Sequence, residues 1–161
     1  MALNIRIDFE NRYERTFLDN DFRKSTFESI LVDGTKIKLG IEISTEEDPL
    51  MAEVYNLAFG PLDNNFQIDD EAKLTHQDHS KVFSTIVFAA LSFLKEHKGK
   101  YLSIDGSNIA RSYMYYRCMQ KNYNYLNSFF NIYGVNYYVR VLVDGSISCE
   151  SEDLRLVPKL I

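Results

Sequence analysis

The chain of 161 residues contains no tryptophan and only two cysteines, and it has no long apolar run. Each shortage excludes something. Cys118 and Cys149, with no export segment ahead of them, read as free thiols of a reducing compartment and not as a disulfide framework. The start, Met1-Ala2-Leu3-Asn4-Ile5-Arg6, lacks the apolar stretch of an export signal. The longest apolar run, Thr85 to Phe93, is about half of the roughly 20 residues a membrane helix needs. These absences predict a soluble, cytoplasmic protein with no membrane role.

Positive charge is also scarce. Eighteen Lys and Arg face 23 Asp and Glu, for a net charge of −5 and a pI near 5.2. The cations are scattered, with no basic block or arginine-rich arm, so no field would draw in duplex nucleic acid. Walker, Rossmann and zinc patterns are absent, and so is the Gly-x-Ser-x-Gly elbow. Ser107 follows a glycine, but no histidine is placed by sequence to activate it. The acidic triplets Glu46-Glu47-Asp48 and Asp69-Asp70-Glu71 read as solvated loops, because consecutive side chains do not converge on one ion. His76 and His79 are three apart and lack a third ligand, so they read as polar or capping residues. The sequence therefore assigns no metal, no cofactor and no catalytic residue.

What is present is a globular composition: 45% hydrophobic and 14% aromatic, with eleven Tyr and eleven Phe. A chain of this length can bury a full core unaided, so residues 1–161 read as a single domain. Leu3 to Phe9 alternates apolar and polar, the period of a half-buried strand. Glu10 to Ile30 shows no clean stripe and reads as irregular with one short helix. Asp33-Gly34 signals a hairpin, and Lys36 to Ile43 behind it alternates strictly. Met51 to Phe59 and, more weakly, Phe66 to Leu74 are further strand candidates.

A long helix opens around Thr75 to Lys81. Val82, Phe83, Ile86, Val87, Ala90, Leu91 and Leu94 give it a broad buried stripe. Asp78 or Ser80 can cap its start, while Lys95, His97, Lys98 and Gly99 suit its end. Lys100 to Ile104 is a strand, and a second helix carries Ile109, Tyr113, Tyr116, Tyr123, Leu126 and Phe130 on one face. Phe129 to Tyr133 and Tyr137 to Val143 look like closing strands, Asp144-Gly145 a turn, and Ser146 to Ile161 a last arm. The predicted fold is α+β: one mixed, largely antiparallel sheet packed by two long helices.

The junction between Lys100–Ile104 and the second helix is the best candidate site. Gly106, Ser107 and Asn108 form a tight turn whose free amides, with the helix dipole, favour an anion. Arg111 falls in the first helical turn, and Tyr115 and Tyr116 follow one turn on. Arg111 either faces a bound group or braces the turn by pairing with Asp105 or one of Asp69, Asp70 and Glu71.

An ordered set of short pieces runs through this half of the chain: Asn56-Leu57-Ala58-Phe59-Gly60, Ile68-Asp69-Asp70, Lys81 to Ile86, Gly106-Ser107-x-x-Ala110-Arg111-x-x-x-Tyr115, and Phe130-x-Ile132-Tyr133-Gly134. Together they resemble a family of small uncharacterised proteins common in Bacteroidota, with departures at Pro61, at His76 and in the tail. In topology the chain more distantly resembles the GNAT-type acyltransferases. That resemblance implies a coenzyme A pyrophosphate on the loop entering the long helix, held by backbone amides beside glycine. Here the loop reads Gln77-Asp78-His79-Ser80-Lys81-Val82, with no glycine and an acid, so coenzyme A binding is not expected. The resemblance also places Asn108 and Tyr115 or Tyr116 at offsets suited to ligand contact and a general acid. Two readings follow. One is a GNAT-like module binding a protein partner or small anionic ligand at Gly106–Tyr116. The other is a divergent acyl- or nucleotide-using enzyme in a toxin–antitoxin or phage-conflict system.

Overall fold

The computed structural model describes residues 4–49, 51–104, 109–141 and 147–155, which fall into two compact units, Met1–Cys118 and Met119–Ile161. The first unit holds a five-stranded sheet: β1 (Thr16–Phe17), β2 (Lys24–Ile30), β3 (Lys36–Ile43), β4 (Val54–Pro61) and β5 (Tyr101–Ser103), in that spatial order. Neighbours run antiparallel up to β4, and β5 then lies parallel to β4. A parallel partner needs a crossover, and helix α1 (His79–Glu96) supplies it. Helix α2 (Ile109–Lys121) follows β5. In the second unit a short helix α3 (Tyr123–Leu126) precedes an antiparallel pair, β6 (Tyr133–Val141) and β7 (Ile147–Arg155). The α+β class and the mixed, largely antiparallel sheet are as the sequence predicts.

Local chemistry explains the best-defined elements. The β2–β3 hairpin turns at Gly34, whose φ of +86° favours glycine, and the Asp33 side chain accepts the Thr35 amide at 2.9 Å. Along β3, Leu39, Ile41 and Ile43 are buried while Lys36, Lys38 and Glu42 are exposed, as strict alternation requires. On α1 the helical stripe meets that face. Val82, Ile86, Ala89, Ala90 and Phe93 pack with Phe27, Leu39, Ile41, Ile43, Tyr55 and Leu57 into one core. Each large apolar side chain removed from water there contributes roughly 1.5–3 kcal/mol. Asp78 caps α1, accepting the Lys81 amide at 2.9 Å.

Four expectations need correction. Residues 4–9 are not a strand, although Ile5, Ile7 and Phe9 are buried on one side as the alternation implies. The segment instead lies along α1. Its Arg6 and Asp8 amides donate to Ser80 Oγ and Ser84 Oγ, each at 2.9 Å, and the Tyr13 amide donates to Thr85 Oγ1 at 2.8 Å. Helix hydroxyls do the work of a neighbouring strand.

The second correction is the stretch 10–30, read as irregular, which contains β1 and all of β2. The inward face of β2 carries Ser25 and Ser29, which are buried despite being polar, so apolar periodicity could not reveal it. Third, Phe66 to Leu74 is no strand. Its only ladder contact among the described residues is an isolated Leu62–Ile68 bridge, and Asp63 Oδ1 ties the turn by accepting the Asn65 and Gln67 amides. Fourth, one strand, β6, replaces the two expected around Phe129 to Val143, and the arm after Ser146 pairs with it as β7. The Asp144-Gly145 turn lies outside the described residues.

Candidate functional site

The candidate site begins with a glycine. Gly40 and Gly60 face each other across β3 and β4, and the chain beyond β4 folds back over them. A methyl group on Gly60 would overlap the Asp69 backbone carbonyl, so only glycine lets this loop approach. The Asp69 amide closes the contact by donating to the Pro61 carbonyl at 2.9 Å. That contact fixes the residues just beyond it, Glu71 and Ala72. Arg111 Nη2, from the first turn of α2, donates to both their carbonyls, at 2.9 and 2.7 Å.

Arg111 thus braces the loop 69–72, as one of its two sequence readings has it, though through backbone oxygens. One turn on, Tyr115 leans its ring on Phe59 of β4 and Phe83 of α1, at centroid distances of 5.8 and 6.1 Å. Burial among these rings pushes the phenol pKa up, while the charge of Arg111 and its hydrogen bond to the phenol pull it back. Asp70 adds a smaller upward push. A guanidinium and a neutral phenol are therefore held together on one helix face. Tyr116, by contrast, is exposed, as is Tyr113. Gly106, Ser107 and Asn108, the remaining members of the expected site, lie outside the described residues.

The start of α1 is sealed in a different way. Asp78 occupies the amide of Lys81, so its carboxylate sits where an anion would have to approach. Just before it, His76 forms an isolated bridge with Leu31, and its Nδ1 lies 2.7 Å from the fully buried Ser29 Oγ. The His79 ring meets His76 edge-on at 5.4 Å. Burial, reinforced by His79, lowers the His76 pKa to about 4. His79 is lowered too, by burial against the opposing pull of Asp78. No sequence signal connects His76 with Ser29; the contact spans 47 positions.

Two further polar groups went unseen in the sequence. Asn56 and Ser103 are register partners across the parallel β4–β5 pair, and Asn56 Oδ1 and Ser103 Oγ are buried with no hydrogen-bond partner among the described residues. Ser103 ends β5, the strand that precedes α2. Among the described residues no three His, Cys, Asp or Glu side chains are grouped to hold a metal ion, and no helix is long and apolar enough to cross a membrane.

A family model matches residues 10–142, most of the chain. The chain belongs to a family of unknown function, DUF6934. The match takes in the sheet, α1, α2 and the Arg111–Tyr115 pair, and it ends just after β6. No curated protein and no solved structure matches the chain.

Proposed function

We propose that this DUF6934 chain is a GNAT-like binding module whose strand–turn–helix at Gly106–Tyr116 holds an anionic group, carried by a small ligand or by a protein partner. The observation that carries this reading is Arg111, held by two backbone carbonyls one helical turn before Tyr115. Arg111 is anchored to the Glu71 and Ala72 carbonyls, and it keeps a cation and a hydroxyl donor together at the start of a helix. Preorganised donors of this kind recognise carboxylates and phosphates without paying to order themselves. The order of elements supports the GNAT-like reading: antiparallel strands, α1, β5 parallel to β4, then α2.

Coenzyme A is not the ligand in this reading. Its pyrophosphate would have to sit at the start of α1, where Asp78 already caps the helix and no glycine allows close approach. The enzymatic alternative, an acyl- or nucleotide-using activity, would use Tyr115 or Tyr116 as general acid. Half-buried Tyr115, held beside Arg111, is the better placed of the two.

Thermal shift with a panel of nucleotides and with coenzyme A tests the proposal, because a ligand that prefers the native state raises Tm with its concentration. A nucleotide should raise Tm in the wild type and not in Arg111→Ala, whereas coenzyme A should do nothing. Arg111→Ala should also cost about 1.5–3 kcal/mol in denaturant, the scale of charged hydrogen bonds lost. That stability loss with nucleotide binding intact would reduce Arg111 to a brace.

A further inference from the structure

A second cationic site lies where the N-terminal segment crosses α1, and it does not depend on the reading of Arg111. Arg12 and Arg15 both reach the ring of Phe88, with guanidinium carbons 4.0 and 6.0 Å from its centroid. Arg15 also lies over Phe17 at 4.8 Å, and it donates to Ser25 Oγ at 3.2 Å and Ser92 Oγ at 3.4 Å. Arg12 donates to the Phe9 carbonyl. Every one of these partners is neutral.

In a chain with 23 acids and 18 bases, that pattern is unexpected. The ion pairs among the described residues are Lys24–Glu42 and Lys100–Glu53, so neither guanidinium has a carboxylate within ion-pair distance. Glu10 and Glu14 belong to the same segment and stay exposed. Burial, and then the like charge of Arg12, lower the Arg15 pKa to about 10, so Arg15 remains charged at neutral pH. Two adjacent cations, one of them half-buried, repel each other at a cost that aromatic faces offset only in part. An anion of charge −2 would remove that cost, and two planar forks suit the oxygens of a phosphate.

The hydroxyls fit the same ligand. Ser92 gives its hydrogen to the Phe88 carbonyl at 3.0 Å, so it serves only to orient Arg15. Ser25 is buried on β2 and accepts from Arg15. Among the described residues its own hydrogen has no acceptor, which leaves it as a donor beside the Arg15 guanidinium.

We infer that Arg12, Arg15 and Ser25 form a phosphate-binding site at the junction of the N-terminal segment, β2 and α1. Its ligand is free phosphate or a phosphate monoester. The test is a titration of the full chain with inorganic phosphate and with phenyl phosphate at constant ionic strength, followed by amide chemical shifts and by Tm. Matched chloride is the control. Phosphate should move the Arg12, Arg15 and Ser25 amides and raise Tm above the chloride control.

Arg12 is exposed, so Arg12→Gln should fold. It should bind phosphate roughly tenfold or more weakly, the scale of one charge-assisted hydrogen bond. Arg15→Lys keeps the charge but loses the fork, and should weaken binding as well. Arg111→Ala should leave these shifts unchanged. Phenyl phosphate binding as tightly as inorganic phosphate identifies an ester ligand; inorganic phosphate binding alone identifies the free ion. No shift beyond the chloride control in the wild type, or an unchanged affinity in Arg12→Gln, would overturn the site.

Discussion

Helices α1 and α2 begin alike and are used differently. Each is anchored at its start to a distant part of the chain: α1 by His76 against Ser29, α2 by Arg111 against the Glu71 and Ala72 carbonyls. Beyond that start they diverge. Ten side chains of α1 are buried, from Val82 to Phe93. On α2 Tyr113 and Tyr116 stand in solvent, and Tyr115 is only half covered. The first helix turns its side chains into the core, while the second carries aromatic side chains at the surface. Binding is therefore expected from α2 and stability from α1.

The sharpest way to break that contrast is a pair of truncations. Phe93 is fully buried, stacked on His97 at 4.2 Å and edge-on to Tyr55. Phe93→Ala should cost about 3–5 kcal/mol in denaturant-induced unfolding. Tyr113→Ala on α2 should stay within about 0.5 kcal/mol of wild type, as surface changes generally do. A comparable loss in both variants would mean that α2 is as much a core element as α1.

How far this contrast could be read in the sequence depended on what each signal records. The stripe from Val82 to Leu94 announced α1 because its neighbours are apolar all along. Residues 4–9 show the limit of alternation. It reports which side of a segment is buried, but the amides of Arg6 and Asp8 go to Ser80 and Ser84, more than 70 positions away. β2 was missed because Ser25 and Ser29 fill inward positions that an apolar pattern leaves blank. At the site, spacing rightly put Arg111 one turn before Tyr115. The sequence offered Glu71 as a partner through its charge; nothing local could say that bonds would run to the Glu71 and Ala72 backbone carbonyls, 40 and 39 residues back.

A smaller effect tests whether the anchor of α2 is built from the loop side. Gly60→Ala places a methyl against the Asp69 carbonyl, and backbone cannot yield as a flexible side chain would. The expected loss is about 1–3 kcal/mol, typical of overpacking. Because the displaced loop carries Glu71 and Ala72, Gly60→Ala and Arg111→Ala should be less than additive. Strict additivity in the double mutant would mean that the loop and the guanidinium act independently.

The smallest expected effect separates the two anchors by pH. The anchor of α2 ends on backbone carbonyls, whereas that of α1 includes the imidazole of His76. Its folded pKa is depressed to about 4 from an ordinary value of 6.5, chiefly by burial and then by His79. Folding therefore favours the neutral ring. Its contribution is fully present above pH 6.5 and is lost as the pH falls toward 4, where the folded state also takes up the proton. The bond to Ser29 need not break on protonation, because Nδ1 could then donate to Oγ; the loss comes from charging a buried ring beside His79. His76 is only half-buried, so solvent screening reduces the effect, to no more than about 1 kcal/mol. Unfolding free energies measured between pH 7 and 4 should slope downward in the wild type and less steeply in His76→Gln, which keeps a polar partner for Ser29 without a titrating ring. Equal slopes in the two proteins would move the titration away from His76, and the His76–Ser29 contact would then be no more sensitive to pH in this range than the carbonyl anchor of α2.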